Sequence, residues 1–335
     1  MEINSDIGLP SSKSLEHWLD LSLGGDIEDF IEKSLLNPLK SFLKRPSKKF
    51  RAQLVQLGFD LVPQKIESAS EYVLQAQAVL EAIHAASLVV DDIQDNSDWR
   101  RGEPTLHKTH GVAVALNSAN WLYFWPFETI ETWEVDAQKK SMLIRACYRA
   151  LIRAHSGQAL DVGTPISEVS QKRIRSICFS SLELKTGALT ALALELGAIL
   201  AGASPEQNQR LVQFGAEFGV ALQMFDDLGN VREKTPPDPK RFEDLKGRRP
   251  SWIWAVAAQR LSEVEFSEFI KLVETLPDEG PLKEYFKTAF WLREAFSEAA
   301  AFLNQALLRL ESHPWNTEAI GKMQEVAQQL KRAYE

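Results

Sequence analysis

Apolar residues recur every three or four positions along most of this chain, the spacing that places them on one face of a helix. Short polar segments rich in proline and glycine separate the stretches that carry this pattern. Further helices begin after Ser47, which is a good N-cap, and at Ser204-Pro205-Glu206. We predict helices over residues 26–43, 67–95, 111–131, 137–162, 172–203, 252–260, 262–276, 281–310 and 318–334. No convincing β-strand is predicted, so the expected fold class is all-α.

Length and composition agree with one large core. The chain has 335 residues, of which 44% are hydrophobic. That is enough for a single sizeable hydrophobic interior. We find no internal repeat and no linker that demands a second domain. We therefore expect a single large helical bundle over residues 1–335, with residues 1–13 as a loose leader.

Charge and cysteine content exclude several classes of protein. The net charge of −8 argues against nucleic acid as the main partner. Cys147 and Cys178 cannot build a disulfide framework, which favours a reducing compartment and a cytoplasmic location. We predict no transmembrane segment, because no uninterrupted apolar run approaches 18 residues and Glu195 breaks the best candidate at residues 188–203.

Two stretches, residues 84–95 and 221–230, run apolar residues straight into paired aspartates. Burying like charges together is very unfavourable unless cations lie between them. In the first stretch, Asp91 and Asp95 are four residues apart and share a helix face. His84 lies two turns earlier on the same stripe, roughly 10 Å along the axis. Carboxylates placed to share hard cations suit a magnesium-bridged diphosphate.

Basic and polar residues accompany both acidic stretches. Asp92 completes the first aspartate pair, and Arg100 and Arg101 follow in a loop that ends any helix. The second stretch places four polar residues on one helical stripe, Gln223, Asp226, Asp227 and Asn230. It is followed by Lys240, Asp244 and Arg249. We predict that the two acidic faces lie opposite each other across a cavity.

These motifs resemble the two aspartate-rich motifs of the trans-isoprenyl diphosphate synthases, the polyprenyl synthetase family. The resemblance extends over residues 47–254 and includes a basic motif at 47–51, a Gly-Gln-x-x-Asp motif at 157–161 and Lys-Thr-Gly at 185–187. It implies an isoprenoid synthase fold with a central active-site cavity. It also implies a homodimeric prenyltransferase that condenses isopentenyl diphosphate with an allylic diphosphate, using three Mg²⁺ ions.

The resemblance also implies a role for each matching residue. The expected metal ligands are Asp91, Asp95 and Asp226. The residues expected to bind isopentenyl diphosphate are Lys48, Arg51, His84 and Arg101. The cations expected at the allylic diphosphate are Arg100, Lys185, Lys240 and Arg249. Thr186 and Gln223 are expected to stabilise the reacting cation and the released oxygen. A second set of residues is expected to surround the metal ligands and orient them: Asp92, Gln158, Asp161, Asp227, Asn230 and Asp244.

The sequence departs from the family pattern at a few positions. Ser47 and Lys49 replace the glycine and first arginine of the basic motif. Asn230 replaces the last aspartate of the second acidic motif, which removes a charge and predicts weaker metal binding. Arg249 replaces a common lysine and keeps the charge in a different geometry.

The residues before the first acidic motif bear on product length. Ala86 and Ser87, one turn before Asp91, are small where bulky aromatic residues would close a short tunnel. They predict a product longer than fifteen carbons, geranylgeranyl diphosphate or a nearby length, and Ala86→Phe is expected to shorten it. The aromatic residues that offer an alternative tunnel floor are Trp121, Phe124 and Trp125.

Other functions stay open. A class I terpene cyclase also uses an Asp-Asp-x-x-Asp motif with magnesium, but it needs no site for isopentenyl diphosphate. A catalytically weak subunit that regulates a partner synthase agrees with Asn230 and disagrees with the complete first motif. A di-iron bundle needs two Glu-x-x-His motifs, and only Glu81–His84 is present. A helical bundle without catalysis leaves the apolar lead-ins to both aspartate pairs unexplained.

Overall fold

The computed structural model describes residues 9–46, 50–63, 65, 69–163, 165–233 and 241–332. These residues are mainly helical, with one short hairpin, which confirms the predicted all-α class. The chain forms two compact units, unit 1 with residues 1–56 and 66–145 and unit 2 with residues 57–65 and 146–335.

Unit 1 is built around the packing of two long helices, α5 (Glu71–Gln94) and α7 (Val112–Glu131). Helix α5 buries an apolar stripe that leads to the first acidic motif. Helix α7 contains Pro126 without interruption. The other helices are α1 (Ser12–Leu19), α2 (Gly25–Ile31), α3 (Asn37–Leu43), α4 (Phe50–Leu61) and α6 (Leu106–His110), and α4 continues into unit 2.

The predicted helix over residues 26–43 is present, but its buried face is shorter than expected. A π-helical turn, Glu32–Leu36, joins α2 to α3. Leu39 and Phe42 are buried beyond this turn, whereas Ile27 and Phe30 before it are 54% and 68% exposed. A π turn inserts a residue into the helical repeat, so the apolar positions before and after it fall on different faces.

The loop predicted to carry Arg100 and Arg101 is instead a hairpin followed by α6. Strands β1 (Trp99–Arg100) and β2 (Glu103–Pro104) pair antiparallel. The two turn residues, Arg101 and Gly102, have φ angles of +56° and +81°. This pair of left-handed residues is typical of the tight type I′ hairpin turn. The prediction of no strand was wrong here because each strand has two residues, too few for an alternating pattern.

Unit 2 surrounds helix α10 (Ala188–Ala201), in which every residue is buried. Helix α11 (Pro205–Val231) begins where predicted, after its N-cap Ser204, packs along α10 and also contacts α16 (Trp291–Glu311). Helix α9 (Gln171–Leu182) reaches α10 through a π-helical turn, Glu183–Gly187. The remaining helices are α8 (Ala137–Gly163), which begins in unit 1, α12 (Glu243–Lys246), α13 (Trp252–Arg260), α14 (Glu263–Val273), α15 (Gly280–Thr288) and α17 (Thr317–Arg332).

The predicted helix over residues 281–310 is divided in two. Helix α15 ends at Thr288 and α16 begins at Trp291, because Ala289 adopts an extended conformation. Neither glycine nor proline marks this break in the sequence.

Two described helices have the length and apolar composition of a membrane span. They are Glu71–Gln94 and Gln171–Ala201, with 56% and 89% of the apolar window buried inside the protein. Core helices of globular proteins meet the same criteria, so their burial makes them weak indications of a membrane protein.

Candidate active site

The first acidic motif lies at the carboxyl end of α5. Its three aspartates differ in their exposure and in their contacts with Arg100. Asp92 is 1% exposed, and its Oδ1 accepts hydrogen bonds from Arg100 Nε at 2.7 Å and Nη2 at 2.5 Å. Asp91 Oδ2 lies 3.9 Å from Arg100 Nη2 and remains partly exposed. Asp95 is exposed at the C-cap of α5. Asp92 therefore orients Arg100, while the side chains of Asp91 and Asp95 are more accessible to solvent.

Two residues that sequence reasoning missed support this motif. Arg45 is 5% exposed, donates to the Arg100 carbonyl at 3.3 Å and pairs with Glu103, which fixes both strands of the hairpin. Its position before a helix-ending proline is typical of a surface residue, so no sequence pattern indicates its role. Burial and the charge of Asp91 raise the pKa of Tyr123, which places this tyrosine of α7 near the motif.

A basic site adjoins the motif in unit 1. Arg51 Nη1 lies 3.0 Å from His84 Nε2. A guanidinium can only donate, so His84 accepts through Nε2 and carries its proton on Nδ1. Burial, followed by the charges of Arg51, Arg101 and Arg100, holds the pKa of His84 well below 6.5. Nδ1 is buried and has no hydrogen-bond partner among the described residues.

Unit 2 gathers several of its predicted site residues into one charged cluster. Lys185 Nζ contacts Asp161 Oδ2 at 2.8 Å, and Arg249 Nη1 donates to the Asp161 carbonyl at 3.2 Å. The Arg249 amide donates to the Asp244 carbonyl at 3.0 Å. Burial, with the charges of Asp226 and Asp161, raises the pKa of Asp244 to about 7. The cluster thus combines carboxylates with two cations that suit diphosphate oxygens.

A hydrogen-bonded chain runs beside this cluster. Thr186 Oγ1 donates to Gln223 Oε1 at 2.8 Å, and Gln223 Nε2 donates to Asp227 Oδ1 at 2.8 Å. The Trp252 amide donates to Asp227 Oδ2 at 2.6 Å. Burial is the main cause that raises the pKa of Asp227 well above its usual value. Asp227 therefore orients the side chain of Gln223, while the neighbouring Asp226 is exposed.

The structure describes some of the remaining predicted site residues but not all of them. Gln158 is half-buried on α8. The Asn230 carbonyl accepts from the Phe242 amide at 3.1 Å, which connects α11 to the segment before α12. Lys48 and Lys240 lie outside the described residues, as does the Ser47 N-cap.

Each unit carries carboxylates of the kind that suits magnesium. Asp91 and Asp95 lie in unit 1 and Asp226 lies in unit 2, and carboxylate oxygens are the ligands that Mg²⁺ prefers. In the part of the chain that the structure describes, no three His, Cys, Asp or Glu side chains form a ready-made metal group. Mg²⁺ commonly binds through one or two carboxylates plus substrate phosphates, so a site completed by the substrate agrees with this arrangement.

A cavity of about 450 Å³ lies within unit 2, lined by α8, α10, α11 and neighbouring helices. Its walls combine apolar residues such as Leu192 and Val220 with the Arg149–Glu195 ion pair. None of the predicted site residues lines it, so it is separate from the chemistry described above.

The sequence matches a known family model. Residues 32–289 match the model described as polyprenyl synthetase. The chain belongs to the polyprenyl synthetase family. This confirms the resemblance drawn from the acidic motifs.

The chain is also similar in sequence to individual proteins of the family. The chain is 31% identical over 215 residues to geranylgeranyl pyrophosphate synthase 2 of Zymoseptoria tritici, covering 64% of this chain and 61% of that protein. It is 30% identical over 209 residues to a short chain isoprenyl diphosphate synthase of Methanocaldococcus jannaschii, covering 61% and 60%. The matches thus span about three fifths of the length of these two relatives.

Solved structures share the fold of this polyprenyl synthetase. The geranylgeranyl pyrophosphate synthase of Corynebacterium glutamicum, solved with isoprenyl diphosphate and magnesium, superposes with a TM-score of 0.77 at 22% identity. The superposition covers 96% of this chain and 95% of that chain. At this identity the similarity establishes the fold.

Proposed function

We propose that this chain is a trans-prenyltransferase that condenses isopentenyl diphosphate with dimethylallyl, geranyl or farnesyl diphosphate and releases pyrophosphate. Membership of the polyprenyl synthetase family and the names of the curated relatives support this reaction. The product is geranylgeranyl diphosphate or a prenyl diphosphate of nearby length. The full chain acts as one catalytic domain.

The basic site of unit 1 is the observation that favours a synthase. Arg51 and His84 lie in contact, and the charge of Arg101 acts on His84. This site binds the diphosphate of isopentenyl diphosphate, with Arg51 and Arg101 supplying positive charge and His84 as their neutral neighbour. A terpene cyclase has a single diphosphate substrate and needs no such second site.

The residues of the chain divide the chemistry as follows. Lys185 and Arg249 bind oxygens of the allylic diphosphate, whose carbon–oxygen bond breaks with both electrons leaving on pyrophosphate. Asp91, Asp95 and Asp226 would hold the three Mg²⁺ ions, which would supply positive charge to this leaving group. The double bond of isopentenyl diphosphate then forms the new carbon–carbon bond, and pyrophosphate takes the proton that is lost. Gln223 holds the Thr186 hydroxyl oriented beside the reacting carbon.

Exposed apolar residues support a homodimer, for which we propose a cytoplasmic location. In unit 1, Val112, Leu116 and Phe124 lie on one side of α7 and are 52%, 39% and 68% exposed. In unit 2, Tyr148 and Ile152 of α8 are 53% and 67% exposed. Apolar stripes of this kind mark protein–protein contacts.

The test is an incubation of the purified chain with isopentenyl diphosphate, magnesium and one primer at a time. Dimethylallyl, geranyl and farnesyl diphosphate serve as separate primers, and chromatography sizes the products. We expect prenyl diphosphates that end at one length. A hydrocarbon formed without isopentenyl diphosphate would establish a cyclase. No turnover with any primer would contradict the proposal and favour the regulatory subunit.

A further inference from the structure

The helix that carries Lys185 and Thr186 widens into the π-helical turn Glu183–Gly187 before α10 begins. Such turns are rare, because their wider hydrogen-bond geometry is less favourable than that of an α-helix. Here the Thr190 hydroxyl reaches back to the Thr186 carbonyl at 3.1 Å and the Gly187 carbonyl at 3.0 Å. Thr190 has no exposed surface, so bulk water does not compete for these bonds.

Glycines bring α11 against this turn. A Cβ atom on Gly219 would stand 2.0 Å from Thr190 Oγ1, and one on Gly215 would stand 2.7 Å from Ala191 Cα. A Cβ atom on Gly187 would lie 2.9 Å from the Ala216 carbonyl oxygen. The two backbones therefore enclose the Thr190 hydroxyl, and its rotation is restricted.

The same face of α11 continues into the proposed active site. Gly219, Gln223 and Asp227 follow one another at four-residue intervals. Gln223 accepts the hydrogen bond of the Thr186 hydroxyl, and the carbonyl of Thr186 accepts that of Thr190. Thr186 is thus bonded at its side chain by Gln223 and at its backbone by Thr190.

We propose that Thr190 is a positioning residue for the reaction. Its hydroxyl stabilises the π turn, and the turn sets where Lys185 Nζ and the Thr186 hydroxyl stand relative to Gln223 and Asp227. The consequence for turnover rests on the proposed prenyltransferase function, whereas the stabilisation of the turn does not.

Three variants separate the hydroxyl from its surroundings. Thr190→Val removes the donor and keeps the shape, and Thr190→Ser keeps the donor. Thr129→Val is the matched control, because Thr129 Oγ1 donates to the Trp125 carbonyl at 3.0 Å within the ordinary α-helix α7. If Thr190→Val does not fold, Thr190→Ala removes the same hydroxyl without adding bulk.

The first measurement is hydrogen exchange, read by mass spectrometry on the peptide that covers residues 183–191. Thr190→Val is expected to exchange about tenfold faster than the unchanged protein in this peptide, because local opening becomes easier. Thr190→Ser and Thr129→Val are expected to exchange within about twofold of it there. Calorimetric titration with inorganic pyrophosphate and magnesium is expected to show weaker binding for Thr190→Val alone.

The second measurement is steady-state kinetics with farnesyl and isopentenyl diphosphate. Thr190→Val is expected to lower kcat about tenfold to a hundredfold, the effect of a misplaced catalytic group. The KM for isopentenyl diphosphate is expected to stay unchanged. The described residues proposed to bind this substrate, Arg51, His84 and Arg101, all belong to unit 1. Thr190→Ser is expected to restore kcat.

Two results would overturn the proposal. Unchanged exchange over residues 183–191 in Thr190→Val would show that the hydroxyl does not hold the turn, whatever the melting temperature. Equal impairment of Thr190→Ser and Thr190→Val would assign the effect to packing. If the unchanged protein has no turnover, the prenyltransferase function fails, while the exchange and pyrophosphate titrations still decide the role of Thr190.

Discussion

Asp92 and Arg100 form a charge pair directly behind the aspartates proposed to bind magnesium. Asp92 is almost fully buried, and two nitrogens of Arg100 donate to its Oδ1. A buried charge is stable only while its partner remains. This pair therefore stabilises the fold and also orients the Arg100 guanidinium near Asp91.

Asp92→Asn is expected to lower the free energy of unfolding by about 3 kcal/mol, because Arg100 loses its charged partner. The control is Asp98→Asn. Asp98 is 71% exposed and pairs with Lys108 at 3.0 Å, so its loss is expected to cost less than about 1 kcal/mol. Urea denaturation at neutral pH measures both variants. Equal losses would contradict the proposed difference.

His84 is expected to make stability depend on pH. In the unfolded chain it takes up a proton near pH 6.5, whereas its lowered pKa keeps the folded ring neutral at that pH. Below pH 6.5 the unfolded state therefore binds more protons, and the free energy of unfolding falls by up to about 1.4 kcal/mol per pH unit as pH decreases. His84→Gln removes this contribution and is expected to show a shallower fall.

Denaturation of His84→Gln between about pH 7.5 and 5 tests this dependence. His110→Gln is the control, because His110 is exposed on α6. A pH slope in His84→Gln as steep as in the unchanged protein would mean that the folded ring is readily protonated.

Ser87 is a better position than Ala86 for testing product length. Ala86 has no exposed surface, whereas Ser87 is half-buried on the same turn before Asp91. Ser87→Phe is expected to shorten the product with little change in stability. Ala86→Phe is expected to destabilise the fold by about 1–3 kcal/mol through overpacking. Chromatographic sizing and melting temperature distinguish the two, and a Ser87→Phe product of unchanged length would place the floor elsewhere.

At the scale of elements, the hairpin β1–β2 determines where Arg100 lies. Its turn requires left-handed backbone at Gly102, whose φ angle is +81°. No atom lies within 4 Å of a Cβ built on this glycine, so a substitution there tests backbone strain without a clash.

Gly102→Ala is expected to lower stability by about 1 kcal/mol and to reduce turnover, because the strained turn displaces Arg100. Gly163→Ala is the matched control. A Cβ at Gly163 also meets no atom within 4 Å, and its φ lies outside the left-handed range. Thermal unfolding should therefore show no loss for Gly163→Ala. A loss as large as that of Gly102→Ala would exclude turn strain as the cause.

At the scale of the whole molecule, the exposed stripe on α7 bears on the proposed homodimer. Phe124 is 68% exposed at its end. Phe124→Asp is expected to shift the protein from dimer to monomer in analytical ultracentrifugation, because an aspartate is unfavourable in an apolar contact. Val264 on α14 is 70% exposed and lies outside this stripe. Val264→Asp is expected to stay dimeric, and a dimer that persists in Phe124→Asp would exclude this surface as the contact.

The sequence by itself determined the family, the all-α class and the helices that carry both acidic motifs, because helical spacing and aspartate pairs are local patterns. Asp91 lies in the last turn of α5, and Asp95, four residues later, is its C-cap. Tertiary structure decided that Asp92 turns to Arg100, that Arg45 supports the hairpin and that Thr190 reaches the π turn. These contacts depend on where the backbone widens and on how closely helices approach each other. The spacing of apolar residues along the chain does not encode either feature.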